Sequence, residues 1–185
     1  MSMLDEKIHW YVIFVRAGTE ERVAMRLNKE LGSHGFLPFV PKKTCVFRRQ
    51  GKKSLFEKIC FPGYVFIESD KPPAEFLNYF FLNIRKIKEV YRLLDYGDKI
   101  DIAMRNDERM ALGRVLGSDK RIDISKGLKE GDNIKITSGA LAGNEGMIQR
   151  INKVKQEAVI GVSMFSTMIS VSVGFEVIEN IFFND

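Results

Sequence analysis

Four side chains in this chain could ligate a metal or serve as a thiolate or imidazole nucleophile: His9, His34, Cys45 and Cys60. Successive members are 25, 11 and 15 residues apart. No C-x-x-C or H-x-x-x-H pair exists to nucleate a site. A Ser or Cys nucleophile needs a base, and both histidines lie in the first fifth of the chain. Neither a G-x-S-x-G elbow, a Walker loop nor a G-x-G-x-x-G turn occurs. Gly139, Gly143 and Gly146 lie among short alternating segments, with no amphipathic helix after them to hold a phosphate at its N-terminus. The reading is of a non-enzyme with no metal site and no cofactor.

The residues that remain for chemistry are cations. Residues 1–116 carry 21 Lys/Arg against 15 Asp/Glu, whereas residues 117–185 carry 8 against 9. The excess concentrates between Leu31 and Phe56, where no acid occurs and Lys42, Lys43, Arg48, Arg49, Lys52 and Lys53 are all basic. Arg49-Gln50-Gly51-Lys52 reads as the turn of a hairpin between strands Thr44–Arg48 and Lys53–Ile59. Six cations near an exposed tip can approach phosphates without burying charge. The same lysines would also keep the hairpin edge from pairing with another chain.

The elements that carry these groups follow from periodicity. Ile8–Arg16 is apolar on both alternating faces, as in a central strand covered on both sides. Thr19 is placed to cap a helix whose Val23, Leu27 and Leu31 share one face, with Gly32 as its end. Strands are expected at Tyr64–Glu68 and near Glu89–Leu93. A helix beginning at Pro72-Pro73 should carry Phe76, Leu77, Phe80 and Phe81 on one side, and another should run from Asn106 to about Leu116. The stretch 117–127 reads as a polar linker. Beyond it come Asn133–Thr137, Met147–Ile151, Ala158–Val162, Ile169–Val173 and Phe175–Ile178, which suggest a small all-β barrel. The fold class is α+β: a sheet-and-helix domain at 1–116, a linker at 117–127 and a β barrel at 128–185.

A hydrophobic content of 45% and a charged content of 29% suit a folded protein. The longest apolar run, Trp10–Val15, falls far short of the ~20 residues of a membrane span. The first residues carry acids where a signal peptide carries bases. With only two cysteines, a cytoplasmic protein with no membrane partner is expected.

WYVIFVRAGTEERV at the start and CFPGYVFIES at 60–69 resemble the N-terminal domain of the NusG family of transcription elongation factors. LKEGDNIKITSGALAGNEGMIQRI, from Leu128, resembles the SH3-like KOW module that follows it in that family, with Gly146 as the family's key glycine. The resemblance implies a monomeric factor that docks on the clamp helices of the largest RNA polymerase subunit. Its matching aromatics are Tyr11, Phe61, Tyr64 and Phe66, which periodicity alone cannot separate from core residues. It also implies that the basic hairpin lies near upstream or non-template DNA.

The loop Ser138–Gly146 lacks the phenylalanine and proline of housekeeping members. FVRAGTEERV and ALAGNEGMI, followed by Arg150, Lys153 and Lys155, resemble the LoaP-type antiterminators among the specialised paralogues. That type reads a nascent RNA hairpin and implies processive antitermination of long operons. Candidate RNA contacts are then Lys120, Arg121, Lys126, Lys129, Arg150, Lys153 and Lys155. The alternatives are a general elongation factor and a ribosome-associated KOW protein that binds RNA.

Overall fold

The computed structural model describes residues 7–49, 52–130 and 133–178. The side chains of Arg48, Arg49, Glu130 and Asn133 lie outside that description. Two compact units account for the chain. The first comprises Met1–Pro41, Phe61–Met110 and Ser163–Thr167; the second comprises Lys42–Cys60, Ala111–Val162 and Met168–Asp185.

The first unit is built on a four-stranded antiparallel sheet. Its strands are β1 (His9–Val15), β2 (Phe36–Phe39), β5 (Tyr64–Ser69) and β6 (Val90–Leu93), in the order β2-β5-β1-β6. Pro38, which donates no ladder hydrogen bond, sits on the edge strand β2. Side chains alternate along β1. Tyr11, Ile13 and Val15 enter a core with Phe36, Val65 and Ile67. Helices α1 (Glu20–Leu31) and α2 (Pro73–Leu82) supply Val23, Leu27, Leu31, Phe76 and Phe80 to that core. The Tyr11 ring stacks on Phe76 with centroids 4.0 Å apart, and its hydroxyl donates to the Lys71 carbonyl at 2.6 Å. Burial, seconded by Glu75, pushes the Tyr11 phenol well above its ordinary pKa.

Three helical expectations change in detail. Thr19 precedes α1, but its hydroxyl donates back to the Arg16 carbonyl at 2.6 Å instead of capping the helix. Gly32 stays right-handed and leads into a 3-10 turn, so the reversal falls at Gly35 (φ +81°). On α2, Phe76 and Phe80 are buried while Phe81 is 54% exposed. Helix α3 (Asn106–Leu116) has the expected bounds.

Glu108 on α3 organises a second part of the first unit. Its carboxylate accepts hydrogen bonds from the Tyr96 hydroxyl, the Ser163 hydroxyl and the backbone amides of Phe165 and Ser166. The last two residues have left-handed backbones, at φ +51° and +59°. Burial alone would raise the Glu108 pKa, but these donors outweigh it and hold the pKa below the ordinary 4.5.

The second unit holds a hairpin of β3 (Lys42–Arg49) and β4 (Lys52–Ile59), paired Lys42↔Ile59 through Arg49↔Lys52. The Gln50-Gly51 turn read from the sequence lies outside the described residues. Arg121–Ile122 forms β7, which pairs in parallel with the start of β3. A five-stranded sheet follows: β8 (Ser125–Glu130), β9 (Asn133–Ser138), β10 (Ile148–Asn152), β11 (Glu157–Met164) and β12 (Thr167–Ile178), in the order β10-β11-β12-β8-β9.

The stretch read as a linker therefore carries β7 and the start of β8. Buried Ile122 and Ser125 anchor it, and the Ser125 hydroxyl accepts the Leu141 amide at 2.9 Å. The two last strands expected separately are one twelve-residue strand, because β8 supplies its later half, Phe175–Ile178, with a parallel partner. The glycine that the turn after β9 cannot spare is Gly139. It has φ +91°, and a Cβ there would collide with the Ile124 carbonyl and the Ser125 backbone. Gly146 has open space around its Cβ position.

Two stability effects are expected. Glu108→Gln should cost about 1–3 kcal/mol near neutral pH. A carboxylate with a depressed folded-state pKa stabilises above its unfolded value and loses that contribution as pH falls through the folded one. The gap between wild type and Glu108→Gln in urea unfolding should therefore be largest above about pH 4.5 and narrow as pH falls below it. Gly139→Ala should cost about 2–4 kcal/mol, from left-handed strain plus backbone collision.

Candidate functional site

The second face of the first unit's sheet is aromatic. Trp10, Phe39, Phe61 and Phe66 form a cluster with ring centroids 5.2–6.1 Å apart. Trp10 Nε1 donates to Glu68 at 2.8 Å. At one end of that face the register places Phe14 of β1 directly opposite Tyr64 of β5 and next to Tyr91 of β6. Phe14 lies 5.4 Å from each of those rings, and Tyr91 is 58% exposed. Contiguous accessible aromatics of this kind mark an interaction surface.

The FPGY turn is held on two sides, which places Tyr64. The Gly63 carbonyl accepts the Val15 amide at 2.7 Å, and its own amide donates to the buried Glu20 carboxylate at 2.6 Å. At φ +86°, with the Phe14 ring 2.9 Å from where a Cβ would sit, only glycine fits. Glu20 was legible in the sequence merely as a first-turn acid; its bond to a turn 43 residues away is tertiary.

Of the four aromatics read from the sequence, Tyr11 points into the helix-covered core and is fully buried. Phe61 and Phe66 are buried in the cluster on the opposite face. Tyr64 alone is partly accessible. Burial thus separates the four, and sequence reasoning missed Phe14 and Tyr91. The signal for Phe14 was its even spacing from Trp10 and Val12, which puts it on the non-helical face. Nothing in the sequence marked Tyr91.

The basic hairpin is partly spent on the chain itself. Lys43 Nζ donates to the Ser172 carbonyl at 2.6 Å, and Lys53 pairs with Glu176 at 2.6 Å. Lys42 lies 3.7 Å from Glu57. Lys52 is exposed, and the side chains of Arg48 and Arg49 lie outside the described residues. On β3–β4, Phe47, Leu55 and Phe56 are all exposed, with Lys58 over the Phe56 ring at 5.2 Å.

The seven cations read as RNA contacts do not form one group. Arg121 meets Glu57, Asp119 and Asp123 at 2.8–3.0 Å, and these carboxylates raise its pKa further. The carbonyl of Lys120 accepts the Lys42 amide. Lys126 and Lys129 are exposed on β8, which β11 and β12 separate from β10. Arg150 lies on β10, and Lys153 and Lys155 lie on the turn from it into β11, all three exposed. That turn is closed by the Lys155 amide on the Asn152 side chain at 2.9 Å and carries Val154, 95% exposed.

Both histidines belong to the first unit and both cysteines to the second. Burial pushes the Cys60 thiol up to about 12 despite nearby Lys43. Among the described residues there is no group of three or more His, Cys, Asp or Glu able to hold a metal. No described helix is long and apolar enough to cross a membrane.

Fold and surfaces define the class: an α+β protein whose accessible features are an aromatic strip, a basic hairpin and a cationic turn. The family model described as transcription termination factor nusG matches residues 8–112, more than half of the chain. The chain belongs to the NusG family of transcription factors. It is 25% identical over 177 residues to the transcription termination/antitermination protein NusG of Thermus thermophilus, covering 91% of this chain and 96% of that one. It is 26% identical over 178 residues to the Bacillus subtilis protein of the same name, covering 94% and 98%. A solved structure described as domain interaction in Thermotoga maritima NusG aligns at 19% identity with a TM-score of 0.46, over 92% of this chain and 95% of that chain.

The burial difference makes a prediction. Phe66→Ala should destabilise by about 3–5 kcal/mol, as deletion of a buried ring does. Tyr64→Ala should cost about 1 kcal/mol or less relative to its partial exposure. Chemical denaturation of the two variants side by side measures the contrast.

Proposed function

We propose that this protein is a NusG-type elongation factor that docks on RNA polymerase through the strip Phe14–Tyr64–Tyr91. The observation carrying this reading is that strip: aromatic side chains accessible at the end of a sheet face on which Trp10, Phe61 and Phe66 are buried and Phe39 is half-buried. Aromatic anchors of this kind dominate interface energies once desolvated. The clamp helices of the largest subunit are the partner that the family resemblance implies. The β3–β4 hairpin, with exposed Lys52 and the backbone positions of Arg48 and Arg49 near its tip, is assigned to upstream or non-template DNA.

Within the KOW-like unit, the turn carrying Arg150, Lys153 and Lys155 is assigned to a nascent RNA hairpin, and the activity to processive antitermination of long operons. The loop Ser138–Gly146, with neither phenylalanine nor proline, supports the specialised reading. The general-factor reading draws on the relatives named termination/antitermination protein, which align over nine-tenths of both chains.

Tyr64→Ala and Tyr91→Ala should each weaken co-purification with polymerase by at least about tenfold while leaving the circular-dichroism spectrum and melting curve near wild type. Undiminished co-purification of both folded variants would overturn the docking assignment. Neutralising Arg150, Lys153 and Lys155 together should weaken RNA binding and lower its salt slope by about 2; an unchanged slope removes the turn from the site. A genome-wide occupancy map decides between the two functional readings. Occupancy on a few long operons, starting after a shared leader hairpin, supports antitermination; occupancy following polymerase on most genes supports a general factor.

A further inference from the structure

The first unit carries a second accessible surface, beside the edge strand β6 and the C-terminal end of α2. It is an open groove of about 350 Å³. Its floor is aliphatic and aromatic, formed by Phe80, Leu93 and Ile102, all at most 9% exposed. Phe81 and Tyr91 stand as its walls and remain 54% and 58% exposed. Leu82 and Ile100, 63% and 76% exposed, extend the apolar surface nearby.

The rim has one dominant sign. Arg85, Arg92 and Lys99 line the groove, and none of the three forms an ion pair among the described residues. The single acid on the groove, Asp95, turns its carboxylate back onto the Gly97 amide at 2.7 Å. The loop that presents Lys99 is built. Asp98 accepts the amides of Ile100 and Asp101 at 3.0 and 2.8 Å, which holds Lys99 at φ +61°. A non-glycine residue in that conformation persists only where its surroundings enforce it.

We propose that this groove binds an acidic amphipathic segment of a partner protein, with apolar side chains in the groove and carboxylates against Arg85, Arg92 and Lys99. The charge pattern selects the occupant: three cations with no acidic partner of their own surround a concave apolar floor. A helix suits it, because helical spacing sets apolar side chains on one face and carboxylates on the flanks. Single-stranded nucleic acid fits less well. The Arg85 guanidinium already covers the Phe81 ring at 5.8 Å, and the floor is aliphatic rather than a flat stacking platform. The groove shares Tyr91 with the polymerase strip, but Phe81, Arg85 and Lys99 lie outside that strip and carry this inference.

The test is fluorescence anisotropy on the full chain. The probe is a labelled peptide with leucines at i, i+3, i+4 and i+7 and glutamates elsewhere, compared with the same peptide carrying lysines and with a labelled oligothymidylate. The acidic peptide should bind saturably, the lysine version should bind at least about tenfold more weakly, and Phe81→Ser should weaken the acidic peptide by a similar factor. The exposed double variant Arg85→Glu/Lys99→Glu should do the same without disturbing the fold, and Tyr64→Ala should leave peptide binding unchanged. Equal affinity for the two peptides, no acidic-peptide binding, indifference of the folded variants, or oligothymidylate binding that the groove variants abolish would each overturn the proposal. Loss of polymerase docking in Tyr64→Ala with peptide binding retained separates the two readings.

Discussion

Strand β1 carries apolar side chains on both faces, and neither can be left in water. The first unit follows from covering them. Odd positions meet the apolar sides of α1 and α2; even positions meet an aromatic cluster contributed by β2, β5 and the FPGY turn. Helices α1 and α2 cover one face, and on the other the rings thin out at the end of the sheet. Phe14, Tyr64 and Tyr91 are what is left accessible there. The Gly63 turn, bonded to Val15 on one side and Glu20 on the other, holds this end in place. A bound-and-buried Glu20 carboxylate couples the start of α1 to the surface that the strip presents.

In the second unit the corresponding constraint is backbone approach. A Cβ on Gly174 would sit 2.5 Å from the Thr44 carbonyl, and one on Gly127 would meet Ile134 and Phe175 at 2.6 and 2.7 Å. Glycine at these places lets β12 lie close to β3 and β8. That closeness brings Lys43 to the Ser172 carbonyl and Lys53 to Glu176. The hairpin cations thus serve the fold before they serve any ligand. Lys53 is itself partly exposed in its pair with the buried Glu176, so a phosphate that reaches it has to compete with that carboxylate. Arg121 is held differently, by three carboxylates at once.

Charge count is consequently a poor guide to where this protein meets nucleic acid. The second part of the chain has a slight acidic excess in sequence, yet its β10–β11 turn gathers Arg150, Lys153 and Lys155 with no acid among them until Glu157. The N-terminal part has the larger basic excess, and Lys42, Lys43 and Lys53 of its hairpin are internally engaged. The groove beside β6 follows the same logic, with Arg85, Arg92 and Lys99, which form no ion pair among the described residues, surrounding an apolar floor.

The order of strands and helices was legible in the sequence because it depends on local period. Alternation in His9–Val15, the four-residue spacing of Val23, Leu27 and Leu31, and Pro72-Pro73 before an aromatic helix all depend on neighbours a few residues away. The family, too, was legible, from motifs that are contiguous in the chain. The parallel pairings of β7 with β3 and of β12 with β8 were not, because each joins segments about fifty to eighty residues apart. A parallel partner leaves no turn signal in between. Nor could spacing separate Tyr11, Phe61 and Phe66, which are buried, from Tyr64, or bring Phe14 and Tyr91 to its side. Which aromatic meets solvent depends on strand register and on where the helices stop. Only the tertiary structure decides that, because burial belongs to the packed assembly and not to any one segment.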